Sequence, residues 1–212
     1  MSDNTNKKVR AMTITYMVGN GLYINVTNRC TNRCDFCIRN NGDGAYGSDS
    51  LWLQHEPTEE EILTSVFAHN LDVIPEIVFC GYGEPSIRLD VVRSVALEIK
   101  KKHPKIKIRI NTNGQSDLVW KCDTAPMYEG VFDAVSISLN GPTKEKYQEI
   151  CHSVYGEDAF DAILKFAKNV NKYVQNTAFS VVKETLSEEE IQKCYDLSQT
   201  CGIMLRVRDL IT

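Results

Sequence analysis

Six short runs of β-branched and aromatic residues begin near residues 22, 76, 107, 134, 177 and 203, and the stretches between them can each hold a helix and a crossing back. Parallel strands need such crossovers, and because these are right-handed, successive units curl the same way into a barrel. Six units fall short of the eight that close a parallel barrel, which leaves one side open. The spacing therefore predicts an α/β fold, a partial (β/α)6 parallel barrel over residues 22–208. An N-terminal extension and hairpin precede it at 1–21, where Ala11 to Val18 alternates and Gly19-Asn20-Gly21 offers a tight turn.

Helix signals fall between the strand runs. Thr58 to Glu61 is a capping box opening a face of Ile62, Leu63, Val66 and Phe67, expected to end near Asn70. Leu89, Val92, Val95, Ala96 and Ile99 mark a second face before Pro104, and Phe160 to Val170 a third. Ser187 to Glu190 is another capping box, with Gly202 closing its helix. With 212 residues, 42% hydrophobic, the chain is expected to be one globular domain.

A net charge of −4 gives no general footprint for nucleic acid. No apolar run is long enough to span a bilayer, and the polar N-terminus lacks a signal-peptide core. Of the eight cysteines only three cluster, which suits a reducing, cytoplasmic setting better than a disulfide framework. Cys80, Cys122, Cys151, Cys194 and Cys201 are scattered, and a lone cysteine in an apolar run is usually a small buried hydrophobe.

The clustered three are Cys30, Cys34 and Cys37, directly after the first core strand. Thiolates at this spacing can converge on one metal centre yet leave a four-iron cluster one ligand short, and an iron left open can bind a substrate. The alternative is zinc with an outside fourth ligand such as His55. Arg29, Arg33 and Arg39 lie in the same stretch and could favour an anionic cofactor or an acidic electron donor. Residues 41–56 follow, rich in glycine and polar residues, with Tyr46 and Trp52 among them, and read either as a mobile substrate cover or as a surface connector.

The second core strand stops at Gly81-Tyr82-Gly83-Glu84-Pro85. Glycine admits close backbone approach, a carboxylate accepts hydrogen bonds from an ammonium group, and proline fixes the turn. That combination suits an amino-acid moiety. Asn111, Asn113, Ser138 and Asn140 stand at the ends of the next two strands, where turn chemistry competes with ligand contact.

The cysteine spacing, with Phe36 before the last thiol, resembles the signature of radical S-adenosylmethionine (SAM) enzymes, and Tyr82-Gly83-Glu84-Pro85 is similar to their Gly-Gly-Glu-Pro motif, with Tyr82 in place of the first glycine. The resemblance covers about residues 22–208, and within the family it lies nearest the small TatD family-associated radical SAM proteins. It implies a 4Fe-4S cluster on Cys30, Cys34 and Cys37 whose open iron is chelated by SAM, and reductive cleavage to a 5′-deoxyadenosyl radical that abstracts hydrogen from a substrate. It further implies that Gly83 and Glu84 hold the methionyl amino group, that Phe36 lies near the adenine, and that Asn111, Asn113, Ser138 and Asn140 contact ribose and carboxylate. An electron donor such as flavodoxin or ferredoxin is implied too. The substrate, small molecule or protein, stays open. So do two other readings, a glycyl-radical activating enzyme and a non-catalytic iron–sulfur or zinc-binding module.

Overall fold

The computed structural model describes residues 11–210. Seven strands form one sheet in sequence order: β1 (Thr15–Val18), β2 (Gly21–Ile24), β3 (Glu76–Phe79), β4 (Lys107–Thr112), β5 (Ala134–Ser138), β6 (Thr177–Val182) and β7 (Met204–Arg208). The first pair is antiparallel, with Val18 opposite Gly21 across the Gly19-Asn20 turn. Gly19 takes φ +57°, the left-handed value such a two-residue turn requires. Every later pair is parallel, from Leu22 beside Ile77 to Val182 beside Arg208. The sheet runs from β1 to β7 without those ends pairing, so the barrel is open. Residues 1–10 of the expected N-terminal extension lie outside the described residues.

Alternation along the strands assigns the two faces. Ile77, Phe79, Ile108, Ile110, Val135 and Ile137 are almost fully buried, and they share one core with Ile62 and Val66 of α1 (Glu59–Phe67), Val92, Val95 and Ile99 of α2 (Leu89–Lys102), and Ile163 and Phe166 of α5 (Asp158–Val170). Those helices cover the convex face. The opposite register carries Tyr23, Val78, Arg109, Asn111, Ser136 and Ser180 on the concave face, where polar groups face the open interior. On that floor Arg109 forks onto Glu76 at 2.8 and 3.1 Å and donates to Asn111 Oδ1 at 2.6 Å, so the charge is paired and Asn111 is oriented.

Both capping boxes form, at Thr58/Glu61 and at Ser187/Glu190, the latter opening α6 (Glu188–Cys201) with Gly202 at φ +67° behind it. The first helix ends at Phe67, short of Asn70, which instead caps a 3-10 turn over Leu71–Val73. Two helices have no counterpart in the sequence expectation: α3 (Ser116–Trp120) and α4 (Lys144–Cys151). They are five and eight residues long, too short for a periodic apolar face. α4 nevertheless decides how the cysteine loop sits.

Candidate functional site

The cysteine loop leaves the carboxyl end of β2 and docks on the end of α4. Arg33 N–H donates to the Cys151 carbonyl at 3.0 Å, Asp35 N–H to that of Ile150 at 3.1 Å, and Val154 N–H to that of Thr31 at 2.9 Å. His152, in the left-handed region at φ +46°, places its Nε2 2.7 Å from Asp35 Oδ1. Beneath lies a buried polar network: Asn32 Nδ2 and Gln115 Nε2 both donate to the Tyr147 hydroxyl at 2.8 Å, Gln115 Nε2 also reaches Asn32 Oδ1 at 2.8 Å, and Ser153 Oγ donates to Gln115 Oε1 at 3.2 Å. With its members paired to one another, such a network favours one loop conformation. Sequence reasoning missed it. Its members come from the loop, the start of α3, and α4 with the turn after it, and no local pattern links them.

The three thiols stand on this loop, partly buried, and engage different neighbours. Cys30 Sγ accepts from Asn32 N–H at 3.4 Å, Cys37 Sγ accepts from Arg39 Nε at 3.4 Å, and Cys34 has the Cys151 thiol as its neighbour. Among the described residues no three His, Cys, Asp or Glu side chains are gathered closely enough to hold a metal ion as they stand. Burial, with the Glu84 carboxylate nearby, pushes the Cys30 thiol up to about 12. The neighbouring Cys151 thiol and then burial push Cys34 up as well. A metal bound here would have to displace the protons of these thiols. His55, the alternative zinc ligand, instead pairs with Glu61 of the α1 capping box at 3.0 Å.

Beside the loop, β3 ends in the glycine-glutamate turn. Glu84, 4% exposed, accepts from Ser86 N–H at 3.0 Å and Thr112 Oγ1 at 2.7 Å through Oε1, and from Asn113 N–H at 2.6 Å through Oε2. Its pKa is raised because burial outweighs these bonds. Gly83 is required sterically, since a Cβ there would meet the backbone oxygens of Thr27 and Arg29. Next along, the Glu84 N–H donates to the Arg29 carbonyl at 2.8 Å. The turn is thus stitched to the segment that carries Cys30.

Asn113 completes the convergence, its Nδ2 donating to Thr31 Oγ1 at 2.8 Å and lying 4.0 Å from Cys30 Sγ. Asn140, after β5, has φ +56°, donates to Cys151 Sγ at 3.4 Å, and leaves its buried Oδ1 without a protein partner. Asn111 and Ser138 lie on the concave face, on the same strands as the bends that bear Asn113 and Asn140. Phe36 is partly buried against the main core.

Residues 41–56 are packed and hydrogen-bonded onto the core at several points. Leu51 and Leu53 are 1% and 0% exposed, Asn25 and Asn28 hold their carbonyls at 2.7 and 2.8 Å, and the Tyr82 hydroxyl donates to Gly42 and Gly44 carbonyls at 2.9 and 3.0 Å. The residue that departs from the motif of the resembled family is therefore the pin for this segment. Tyr46 is 50% exposed, while its neighbour Ala45 is buried with Tyr16, Leu51 and Tyr82.

Comparison with known proteins places this geometry in a family. The chain matches the model of the radical SAM superfamily over residues 24–198 and belongs to that superfamily. Its members use a 4Fe-4S cluster and SAM. It is 31% identical over 129 residues to molybdenum cofactor biosynthesis protein 1 of Drosophila melanogaster, covering 61% of this chain and 21% of that protein. It is 24% identical over 174 residues to the GTP 3′,8-cyclase of Staphylococcus carnosus (strain TM300), covering 80% of this chain and 48% of that one. The chain thus spans half or less of the length of these relatives. A radical SAM methyltransferase from Sphaerobacter thermophilus shares the fold, with TM-score 0.66 and 14% identity over 91% of this chain and 57% of its own.

Proposed function

We propose that the chain is a radical SAM enzyme that holds a 4Fe-4S cluster on Cys30, Cys34 and Cys37 and SAM beside it. The observation that carries this reading is the meeting of three strand ends. Through Gly83, Glu84 and Asn113, the ends of β3 and β4 are hydrogen-bonded or packed directly onto the loop that bears the cysteines. The donor set suits the cluster in kind, three thiols from one short loop, although their side chains are not drawn together to hold a metal as they stand. Bound there, the cluster and SAM would supply one-electron reductive chemistry for hydrogen abstraction from a substrate.

The chain's own residues bind and orient. The Glu84 carboxylate can accept about four hydrogen bonds, and three are taken from within the protein, which leaves Oε2 a position for an ammonium donor. Asn113, Asn111, Ser138 and Asn140 supply amide and hydroxyl groups for the ribose and carboxylate, and Phe36 an apolar surface for the adenine. The substrate enters from the open side, and electrons come from a flavodoxin or ferredoxin. Within the superfamily the small TatD-associated proteins are the group we place it nearest, a grouping that names no reaction. No helix among the described residues is long and apolar enough to cross a membrane, in keeping with a cytoplasmic enzyme.

The test is anaerobic reconstitution with iron and sulfide, followed by reduction in the presence of SAM. Uptake of about four irons per chain, with a cluster spectrum that changes on adding SAM and release of 5′-deoxyadenosine, is expected. Protein that takes up zinc but no iron–sulfur cluster overturns the proposal.

A further inference from the structure

We infer that Cys34 and Cys151 form a redox-active pair that closes to a disulfide when the cluster is absent. The inference rests on Cys34 being a cluster ligand, as proposed above, and adds a cysteine that the cluster chemistry does not use.

Four contacts place the pair. The N–H groups on either side of Cys34, those of Arg33 and Asp35, donate at 3.0 and 3.1 Å to the carbonyls of Cys151 and Ile150, so the two cysteine backbones run side by side. The Cys151 thiol is also the neighbour that most raises the pKa of Cys34, in keeping with side chains that face each other. Asn140 Nδ2 donates to Cys151 Sγ at 3.4 Å, which fixes that sulfur on the side of the loop. Cys151 ends α4 and is fully buried, while Cys34 is partly accessible. A disulfide needs Cα atoms about 4.4–6.8 Å apart with their Cβ vectors converging. Backbones hydrogen-bonded on both sides of Cys34 hold the two cysteines side by side, so closing the bond calls for side-chain rotation and no change of fold.

The reaction balances with a low-molecular-weight disulfide as oxidant. Cys34, the accessible member, gives up its proton and attacks one sulfur of the oxidant; the other half leaves with that proton as one small thiol, and a mixed disulfide forms. Cys151 then attacks the Cys34 sulfur and displaces the second small thiol. The protein loses two electrons and two protons, and one oxidant molecule is reduced to two thiols. Consequently the loop loses one of its three sulfur donors, and a dithiol reductant restores it.

The experiment uses the full chain freed of iron by chelation, equilibrated with glutathione disulfide, trapped with an alkylating agent, digested and mapped by mass spectrometry. A Cys34–Cys151 peptide is expected as the main cross-link, absent from Cys151→Ala. Oxidised wild-type protein should take up less than half the iron of reduced protein until a dithiol is added, whereas Cys151→Ala should load equally after either treatment. No cross-link, or one that joins Cys34 to Cys30 or Cys37 instead, overturns the inference. If reduced protein assembles no cluster at all, the cluster assignment fails while the mapped disulfide still stands or falls by itself.

Discussion

The carboxylate of Glu84, just past β3, accepts a 2.6 Å hydrogen bond from the backbone N–H of Asn113, just past β4. With Ser86 N–H and Thr112 Oγ1 on its other oxygen, it ties two strand ends together before any ligand arrives. The residue proposed to hold the methionyl ammonium is therefore also a structural staple, and its substitutions should show both roles.

Glu84→Ala leaves buried donors at Asn113 and Ser86 unpaired, at about 1–3 kcal/mol for each such group. Urea unfolding of the cluster-free protein should show a loss of that order, and SAM affinity should fall by roughly ten- to a hundredfold, the equivalent of one charge-assisted hydrogen bond. Glu84→Gln should not rescue either property, since its NH2 must face one of the same donors. Wild-type stability with Gln would show that the staple contributes nothing.

Cys30, Cys34 and Cys37 should each be indispensable for iron uptake, because the loop has no spare thiol. Single changes to alanine should reduce bound iron and the visible absorption of the reconstituted protein to near background. Cys122→Ala and Cys201→Ala, on residues away from this loop, should load normally. Full loading by any of the three loop variants would remove that residue from the ligand set.

Tyr82→Phe keeps the ring, which packs edge-on against Trp52 at 5.1 Å, and removes both hydrogen bonds to the Gly42 and Gly44 carbonyls. A stability loss of about 0.5–1.5 kcal/mol is expected. Amide exchange should quicken between residues 42 and 48 and stay slow at Leu53, whose N–H donates to Asn28 at 3.0 Å. Uniform quickening across 41–56 would mean that the segment opens as one unit.

Asp133 supplies a pH dependence. Burial works to raise its pKa, but the Ile108 N–H at 2.9 Å and Lys100 at 3.0 Å outweigh that and hold it below the usual carboxylate value. A carboxyl depressed on folding contributes stability that is complete above its unfolded pKa, about 3.9, and is lost as pH falls through the lower folded value. Wild type should therefore exceed Asp133→Asn in stability at neutral pH, and the gap should shrink as acid is added. A gap independent of pH would assign the effect to packing.

The sequence alone determined much of the architecture. Six apolar strand runs with helix-length separations fix a parallel sheet, because right-handed crossovers leave few other ways to pack them, and β2 to β7 fall where those runs begin. Both capping boxes and the Gly19-Asn20 turn were legible for the same reason: a local hydrogen-bonding pattern needs only residues a few positions apart. The cysteine loop and the Gly83-Glu84 turn could be recognised as short motifs at strand ends.

What only the tertiary structure decided is how those motifs are held. The buried network of Asn32, Gln115, Tyr147 and Ser153, the docking of Arg33 and Asp35 on the end of α4, and the contact of Cys34 with Cys151 join residues far apart in the chain, each with an unremarkable local sequence. The role of Tyr82 was hidden likewise, since a tyrosine in place of glycine reads locally as a departure from a motif, and its purpose lies in carbonyls about forty positions earlier. Periodicity and spacing report the forces acting along the chain. Pairing of buried polar groups depends on which strand ends and helix termini folding brings together, and that is settled only when the sheet curls.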